Sequence, residues 1–162
     1  MLDIRPIEAS DWLAVWNLIE PVFRAGETYA FALDISAAEA HKVWVETPTA
    51  TFVATDENGA LLGTYYLKPN RAGPGGHVCN CDYIVSEDAR GQGVATQLCE
   101  HSQREAVRRG FRAMQFNLVV ATNEGAIRLW EKLGFAIVGT LPEAFRHPEQ
   151  GYVDAFVMYK KL

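Results

Sequence analysis

A strand that runs through a glycine-bearing turn directly into a helix, over residues 83–96, constrains the fold of this chain more than any other segment. The apolar strand ends at Val85, and a helical run begins at Val94. A turn of this kind presents unpaired backbone N–H groups at the positive end of a helix dipole. The segment therefore predicts an anion site, most naturally for phosphate groups, with the alternative that Gly91 and Gly93 serve only the tight turn.

Two familiar phosphate-binding patterns do not fit this segment. A dinucleotide site needs Gly-x-Gly-x-x-Gly, but counting from Gly91 puts Thr96 at the last position, and no acidic residue ends a second strand at a suitable distance. A Walker loop needs Gly-Lys followed by Ser or Thr, which the chain lacks. What remains is the pattern Arg-x-x-Gly-x-Ala over residues 90–95.

The spacing of apolar residues predicts a mixed α/β fold with the order β-α-α-β-β-β-α-β-α-β-β. A strand at 77–85, a helix at 93–109 and a strand at 113–120 favour a parallel pair with a right-handed crossover. Pro21 should kink or end the first helix, and Asn58-Gly59 should form a tight hairpin turn. The other predicted elements are strands at 2–5, 51–55, 61–67, 136–141 and 152–160, a helix at 37–45, and helices capped by Ser10 or Asp11 and by Thr122 or Asn123.

Composition limits the class of protein. The 162 residues should form one domain, 1–162, because no linker or repeat divides them. Acidic residues outnumber basic ones by 20 to 15, which argues against nucleic acid and anionic membranes as partners. No apolar run is long enough to span a bilayer, the start lacks an export signal, and the three cysteines are an odd number, so we expect a protein of the reducing cytoplasm.

Two motifs resemble those of the GNAT superfamily of acetyl-CoA-dependent N-acetyltransferases. Residues 90–95 look like the pyrophosphate loop of that family. Residues 123–135 look like its Asn-x-x-Ala-x-x-Leu-Tyr-Glu-Lys-x-Gly-Phe helix, and the similarity extends over roughly residues 51–162. The resemblance implies a central mixed, mostly antiparallel sheet with a splayed parallel pair, flanked by helices. It also implies acetyl-CoA as co-substrate.

The same resemblance assigns an acetyl-CoA site residue by residue. Tyr83, Ile84 and Val85 would offer backbone groups to the pantetheine arm, and Asn123 would lie near that arm. The Val85 N–H would stabilise the oxyanion of the tetrahedral intermediate. Trp130 stands where the family usually has a tyrosine as general acid, and an indole N–H cannot take that role. The pyrophosphate would be held by Arg90, Gly91, Gln92, Gly93, Val94, Ala95 and Thr96.

A narrower resemblance is to fungal acetyltransferases for proline analogues such as azetidine-2-carboxylate. It rests on residues 63–70, 77–81 and 115–119. In that branch, asparagines on the two central strands lie at the site of a small amino or imino acid, and Asn80 and Asn117 match those positions. As an alternative, each asparagine could simply bond to neighbouring backbone, as buried amides do.

Few groups near these asparagines could accept a proton from the substrate amine. Asp82 is the only carboxylate on the two central strands, so Asp82 or an ordered water is the candidate proton acceptor, with a purely structural hydrogen bond as its alternative. Tyr29 and Asn70 belong to segments where the acceptor pocket is expected. The predicted catalytic residues are Val85, Asp82 and Asn117, and the predicted substrate-binding residues are Tyr29, Asn70, Asn80 and Asn117.

Two further groups of polar residues have simpler explanations. His77, Cys79 and Cys81 alternate along one strand about 6.8 Å apart, too far for neighbouring ligands of one Zn²⁺, so we expect no metal. Arg146 and His147 fall in a predicted loop, where they could attract a carboxylate or remain solvated charges.

The sequence thus predicts direct transfer of acetyl from acetyl-CoA to the amine of a small amino-acid-like or imino-acid molecule in a ternary complex. One alternative is a non-catalytic acyl-CoA-binding sensor, which the missing tyrosine motivates, and another is a peptide N-terminal acetyltransferase. The expected partner is a small-molecule amine, with no nucleic acid and no membrane, and a homodimer is left open.

Overall fold

The computed structural model describes residues 2–162, which form one seven-stranded mixed sheet flanked by four helices. The strands are β1 Asp3–Pro6, β2 Ala50–Thr55, β3 Leu61–Pro69, β4 Val78–Val85, β5 Ala113–Val120, β6 Ala136–His147 and β7 Gly151–Lys161. The helices are α1 Trp12–Ala25, α2 Ala37–His41, which continues as a π-helical turn Lys42–Glu46, α3 Val94–Arg108 and α4 Glu124–Lys132. The predicted order of elements and the mixed α/β class are confirmed. Within residues 2–162 no helix is long and apolar enough to cross a membrane.

The strands lie in the order β1-β2-β3-β4-β5-β7-β6, with β4 and β5 as the parallel pair. These two central strands pair only at their beginnings, where Val78 is opposite Ala113 and Cys79 is opposite Met114. Beyond Cys79 they diverge, while β5 stays in the sheet through its pairing with β7. The divergence confirms the predicted splayed pair and leaves a wedge between the C-terminal halves of β4 and β5.

The two faces of the sheet carry separate apolar cores. On one face, Leu98 of α3 shares a buried cluster with Tyr83 of β4. On the other face, Ile19 of α1 and Trp44 of the π-helical turn share a second cluster with Ile84 of β4. Consecutive strand residues point to opposite faces, so β4 belongs to both cores and the wedge lies between them.

The loop between β2 and β3 differs from the tight hairpin turn predicted at Asn58-Gly59. It spans residues 56–60, and only Gly59 has a left-handed backbone, with φ at +81°, whereas Asn58 does not. The Asp56 carboxylate accepts the N–H groups of Asn58 and Ala60. An aspartate therefore organises this longer loop, which needs positive φ at one residue rather than two.

Pro21 does not end α1, which continues to Ala25. Its ring is exposed, and the helix is anchored on both sides of it by Ile19 and Phe23, which are fully buried. Packing of the apolar face thus outweighs the hydrogen bond that a proline removes.

The strand predicted at 136–141 continues to His147, so Arg146 and His147 lie on β6 rather than in a loop. The extension pairs with β7 after a shift of register between Leu141 and Phe145. Pro142 falls within this shift, where a missing N–H is tolerated.

Gly63 allows α3 to lie close against β3 beside the wedge. It is paired with Val85 in the sheet, and a Cβ added at Gly63 would stand 2.9 Å from Leu98 Cδ1 and 3.1 Å from the Ile84 carbonyl oxygen. The second contact is with backbone, which cannot move without disturbing the β3–β4 ladder.

Gly63→Ala should therefore lower the free energy of unfolding by about 1–3 kcal/mol, through overpacking between β3 and α3. Urea unfolding measures the change. Gly139→Ala on β6 is the control, because nothing lies within 4 Å of its added Cβ, and we expect a change within about 0.5 kcal/mol. Equal stability of the two variants would contradict the close packing.

Candidate active site

A cleft of about 860 Å³ opens at the wedge between β4 and β5. Its walls come from residues 27–29 between α1 and α2, from the turn before α3, from α4 and from the tip of the β6–β7 hairpin. Three of the predicted site residues, Gln92, Asn70 and Asn80, do not line it. Those that do are Tyr29, Asp82, Tyr83, Ile84, Val85, Arg90, Gly91, Gly93, Val94, Ala95, Thr96, Asn117 and Asn123.

The turn before α3 leaves several backbone donors free. Gly91 and Gly93 have φ of +75° and +77°, a left-handed backbone that favours glycine. Gln92 closes the turn instead of facing the cleft, because its side chain donates to the Asp88 carbonyl at 2.8 Å. Within this turn and the first residues of α3, five backbone N–H groups have no acceptor among residues 2–162. They belong to Gly91, Gly93, Val94, Ala95 and Thr96. Free donors at the N-terminus of a 15-residue helix suit an anion.

The pairing of β4 with β3 decides which backbone groups of β4 face the wedge. Ser86 donates its N–H to β3 at 2.8 Å, and bonded pairs recur at every second residue of an antiparallel ladder, so Ile84 is bonded to Thr64. Ile84 lines the cleft, but its backbone groups are used within the sheet, which contradicts their predicted contact with a pantetheine arm. Tyr83 and Val85 direct their backbone groups into the wedge.

The Tyr29 hydroxyl reaches β4 and donates a hydrogen bond to the Tyr83 carbonyl. This bond leaves the Tyr83 N–H and both backbone groups of Val85 facing the wedge. Burial raises the pKa of Tyr29, and the nearby Asp82 carboxylate raises it further, so the hydroxyl stays protonated and acts as a donor. Tyr29 therefore holds β4 at the point where it has left β5.

The Asp82 carboxyl group lines the cleft and accepts a hydrogen bond from the Tyr66 hydroxyl on β3. Burial raises the pKa of Asp82, while the Tyr66 hydrogen bond and the charge of Lys68 oppose the rise. The Tyr66 ring packs edge-on against Trp44, with centroids 4.9 Å apart, and the Lys68 ammonium lies 5.1 Å from the same ring. Asp82 is thus a carboxyl group of raised basicity whose orientation is set by a packed tyrosine.

The predicted acceptor asparagines have different surroundings. Asn117 lines the cleft and donates its amide to Asn70 Oδ1 at 2.7 Å, while its own Oδ1 accepts from the Gln115 side chain at 2.9 Å. Asn80 is 4% exposed and donates to the Gln115 carbonyl at 3.0 Å, which ties β4 to β5. The structure brings Asn70 and Asn117 together, but only Asn117 of the two lines the cleft. Asn80 makes the backbone bond considered as its alternative, and its contact with an acceptor stays a prediction.

Helix α4 contributes its N-cap residue and an aromatic side chain to the cleft. Asn123 is the N-cap of α4 and accepts the Ala126 N–H at 3.4 Å, as one of the two predicted caps. Trp130 lines the cleft and packs against Tyr83 and Phe116, with ring centroids 5.2 and 5.1 Å away. Its position in the aromatic cluster makes Trp130 a packing residue.

Within residues 2–162, no group of three or more His, Cys, Asp or Glu side chains is arranged to hold a metal ion. Cys79, Cys81 and Cys99 are buried free thiols. Burial raises the pKa of Cys81 and of Cys99, which keeps both protonated at neutral pH. These cysteines therefore act as core residues.

Several residues of the site were not identified from the sequence. The sequence predicts a strand at Tyr66 but not its bond to Asp82, which follows from their direct opposition in the β3–β4 register. Gln150 and His147 line the cleft from the β6–β7 tip, and His147 is only 8% exposed rather than a solvated loop residue. Pro148 and Gly151, residue types typical of turns, could have placed both residues at a hairpin tip, but not against the cleft.

Sequence comparisons agree with this architecture. The acetyltransferase (GNAT) family model matches residues 12–135. The N-acetyltransferase aca1 of Schizosaccharomyces pombe is 41% identical over 116 residues, which are 69% of this chain and 56% of aca1. Protein SPT10 of Saccharomyces cerevisiae is 36% identical over 83 residues, 51% of this chain and 13% of SPT10. The chain thus spans about half the length of aca1 and a small part of SPT10.

Solved structures match over the whole chain. A GCN5-related N-acetyltransferase from Kribbella flavida has a TM-score of 0.94 and 44% identity, covering 99% of this chain and 98% of that one. A phosphinothricin acetyltransferase from Sinorhizobium meliloti, solved in complex with AcCoA, shares the fold with a TM-score of 0.86 and 22% identity, covering 99% and 88% of the two chains. Because the family model matches most of this chain, and the chain has a splayed β4–β5 pair beside a glycine turn, the chain belongs to the GNAT family of acetyltransferases.

Proposed function

We propose that this protein transfers an acetyl group from acetyl-CoA to the amine of a small molecule that resembles an amino acid or imino acid. The observation that carries the proposal is one cleft that joins the free N–H groups before α3, the wedge between β4 and β5, and the side chains of Tyr29, Asp82 and Asn117. A cofactor end and an acceptor end in one cleft suit direct transfer, where positioning the two reactants supplies much of the rate.

The residues at the α3 end fit a pyrophosphate group. The left-handed backbone at Gly91 and Gly93 leaves successive N–H groups free at a helix N-terminus, and Arg90 adds a positive charge to the cleft wall. In the wedge, the free backbone groups of Tyr83 and Val85 suit the amides of a pantetheine arm. A protein of this fold, the S. meliloti acetyltransferase, was solved with AcCoA.

When bound, acetyl-CoA supplies an acetyl thioester that a neutral amine can attack. The Val85 N–H would donate to the thioester oxygen as negative charge develops there, a contact worth about 3–4 kcal/mol in other enzymes. Asp82 would accept the amine proton directly or through a water. As the C–N bond forms and the C–S bond breaks, the leaving thiolate takes its proton from solvent. Trp130 has no acidic proton, and the Tyr29 hydroxyl is used on the Tyr83 carbonyl.

The acceptor end favours a small polar amine. Asn117 lines the cleft, and hydrogen bonds to the Asn70 and Gln115 side chains hold its amide in place. An amide can bond to a carboxylate or carbonyl oxygen while Asp82 faces the amine. Peptide N-terminal acetylation and acyl-CoA sensing without turnover are the alternative functions. Each of them predicts a different outcome for the acceptor assay below.

Gly93→Val should abolish acetyl-CoA binding, because a β-branched residue cannot hold the φ of +77° that opens the N–H groups to the pyrophosphate. Calorimetric titration with acetyl-CoA measures the affinity, and the rise in melting temperature confirms it. Gly59→Val is the matched control, since Gly59 has a φ of +81°, open space around it and a place in the β2–β3 loop outside the cleft. It should lose stability but keep wild-type affinity. A folded Gly93→Val protein with wild-type affinity would contradict the pyrophosphate site.

Wild-type protein should release thiol from acetyl-CoA with at least one small amino or imino acid. The acceptors to compare are azetidine-2-carboxylate, proline, alanine, phosphinothricin, an aminoglycoside and tetrapeptides with free N-termini, with free thiol measured colorimetrically. Release only with the tetrapeptides would support N-terminal acetylation instead. Binding of acetyl-CoA without release from any compound would support a sensor.

In the same assay, Asn117→Ala should lower kcat/KM for the best acceptor about 10- to 150-fold through a higher acceptor KM, the range for a lost hydrogen bond to a charged group. Its acetyl-CoA affinity should not change. Asn80→Ala is the comparison variant, and it should mainly lose about 0.5–1.5 kcal/mol of stability with its bond to the Gln115 carbonyl. A higher acceptor KM in folded Asn80→Ala would instead show the acceptor contact predicted from the sequence. Wild-type kinetics in both variants would place the acceptor elsewhere.

Asp82→Asn should lower kcat about 10²- to 10⁴-fold, because the amide keeps an oxygen for the Tyr66 hydroxyl but cannot take a proton. In wild type, kcat/KM should rise with pH through the raised pKa of Asp82 as well as with deprotonation of the acceptor amine. The variant should keep only the dependence on the amine. A variant with the wild-type rate would make Asp82 a structural residue.

Unfolding in urea at pH 4 and pH 7 provides the control for this titration. A carboxyl group whose pKa is higher in the folded state binds more protons there, so wild-type stability falls as pH rises from the ordinary value through the raised one. Asp82→Asn removes this loss. Its stability relative to wild type should therefore be greater at pH 7 than at pH 4.

A further inference from the structure

His147 is a polar residue of the cleft to which the proposed chemistry assigns no task. It ends β6 at the tip of the β6–β7 hairpin, opposite Gly151, and is 8% exposed. It lines the cleft together with Gln150 of the same tip. Ring nitrogens in such a position need hydrogen-bond partners, so the partners of His147 indicate what it can bind.

The two ring nitrogens of His147 have different surroundings. Nδ1 accepts the backbone N–H groups of Glu149 and Gln150, each at 3.2 Å. Because both neighbours donate to Nδ1, the neutral ring carries its proton on Nε2. Among the described residues, Nε2 has no hydrogen-bond partner. Every side-chain nitrogen and oxygen sealed from solvent has a partner, so Nε2 is accessible to solvent, on a residue that lines the cleft.

The cleft offers few positive charges to an anionic group. Arg90, in the turn before α3, is the one permanently charged cation among the described residues that line it, whereas Glu27 and Asp82 add carboxyl groups. An amine in the cleft therefore meets acidic groups. A carboxylate on the same molecule would meet neutral donors at its other walls, namely the His147 Nε2–H and the amides of Asn117 and Gln150.

We propose that His147 is an acceptor-binding residue that donates its Nε2–H to a carboxylate oxygen of the amine substrate. This inference rests on the proposed N-acetyltransferase function and narrows the acceptor to amines that carry a carboxylate. The Glu149 and Gln150 N–H groups hold the ring before the substrate arrives, so little side-chain ordering remains to be done on binding.

Two substitutions separate the two nitrogens. His147→Asn places an oxygen near the position of Nδ1, which keeps an acceptor for the hairpin tip, but has no donor that reaches as far as Nε2. His147→Gln reaches that position with its amide N–H but lacks the Nδ1 acceptor. If His147 only holds the hairpin tip, His147→Gln should lose activity and His147→Asn should keep it. If His147 binds the carboxylate, His147→Asn should be the variant that loses activity.

The experiment compares matched acceptors with and without the carboxylate: azetidine-2-carboxylate with azetidine, proline with pyrrolidine, and alanine with ethylamine. Thiol release from acetyl-CoA gives kcat and KM for wild type and both variants. His147→Asn should lower kcat/KM about 10- to 150-fold for the carboxylate member of each accepted pair, mainly through KM, and leave the other member within about twofold. His147→Gln should keep more of the carboxylate preference, and acetyl-CoA affinity should be unchanged in both variants.

The outcomes distinguish this inference from the function on which it rests. If wild type releases thiol and His147→Asn has the same acceptor preference as wild type, the His147 assignment is overturned. The acetyltransferase function is then still supported. Equal losses for both members of a pair, or weaker acetyl-CoA binding, also overturn it, because the ring would then serve the fold or the cofactor. No release by wild type with any of the six amines or with phosphinothricin overturns the small-amine function and the inference together.

Discussion

The divergence of β4 from β5 after two residue pairs is the constraint on which the rest of the structure depends. Where parallel strands separate, their backbone groups need other partners. Tyr29 supplies one by donating to the Tyr83 carbonyl, and Asn80 holds the closed end through the Gln115 carbonyl. The groups that remain, on Tyr83 and Val85, are those the wedge can offer to a ligand. The same separation that weakens the sheet thus creates the cleft.

Burial beside this wedge links the acid–base chemistry of the cleft to the packing of the α1–α2 face. Removal from water disfavours the Asp82 carboxylate and raises its pKa, while the Tyr66 hydroxyl partly compensates. Tyr66 is held in turn by its near-perpendicular contact with Trp44, whose indole donates to the buried Thr64 hydroxyl at 3.2 Å. The basicity and orientation of the candidate proton acceptor therefore depend on side chains that lie behind the cleft wall and touch no ligand.

Much of the fold was predictable because its signals are local. Gly91 and Gly93 adopt the left-handed backbone that the turn requires, and Asn123 caps α4 as its position before an amphipathic helix predicts. The errors arose where longer-range effects outweigh local preference. Apolar packing carries α1 through Pro21, and pairing with β7 extends β6 to His147. Roles assigned by motif were also incomplete, since the Ile84 backbone is used by β3 and cannot serve a ligand.

The sequence by itself determined the order of elements, the parallel central pair, the glycine turn and the family, because spacing and backbone preference act within a few residues. Only the tertiary structure decided which side chains meet across the cleft. Tyr66 bonds to Asp82, and Asn117 bonds to Asn70, 47 residues away along the chain. His147, predicted in a loop, is a buried strand residue that lines the cleft. Strand register and the placement of hairpin tips set these contacts. Both are decided by burial summed over the whole sheet, which no short segment encodes.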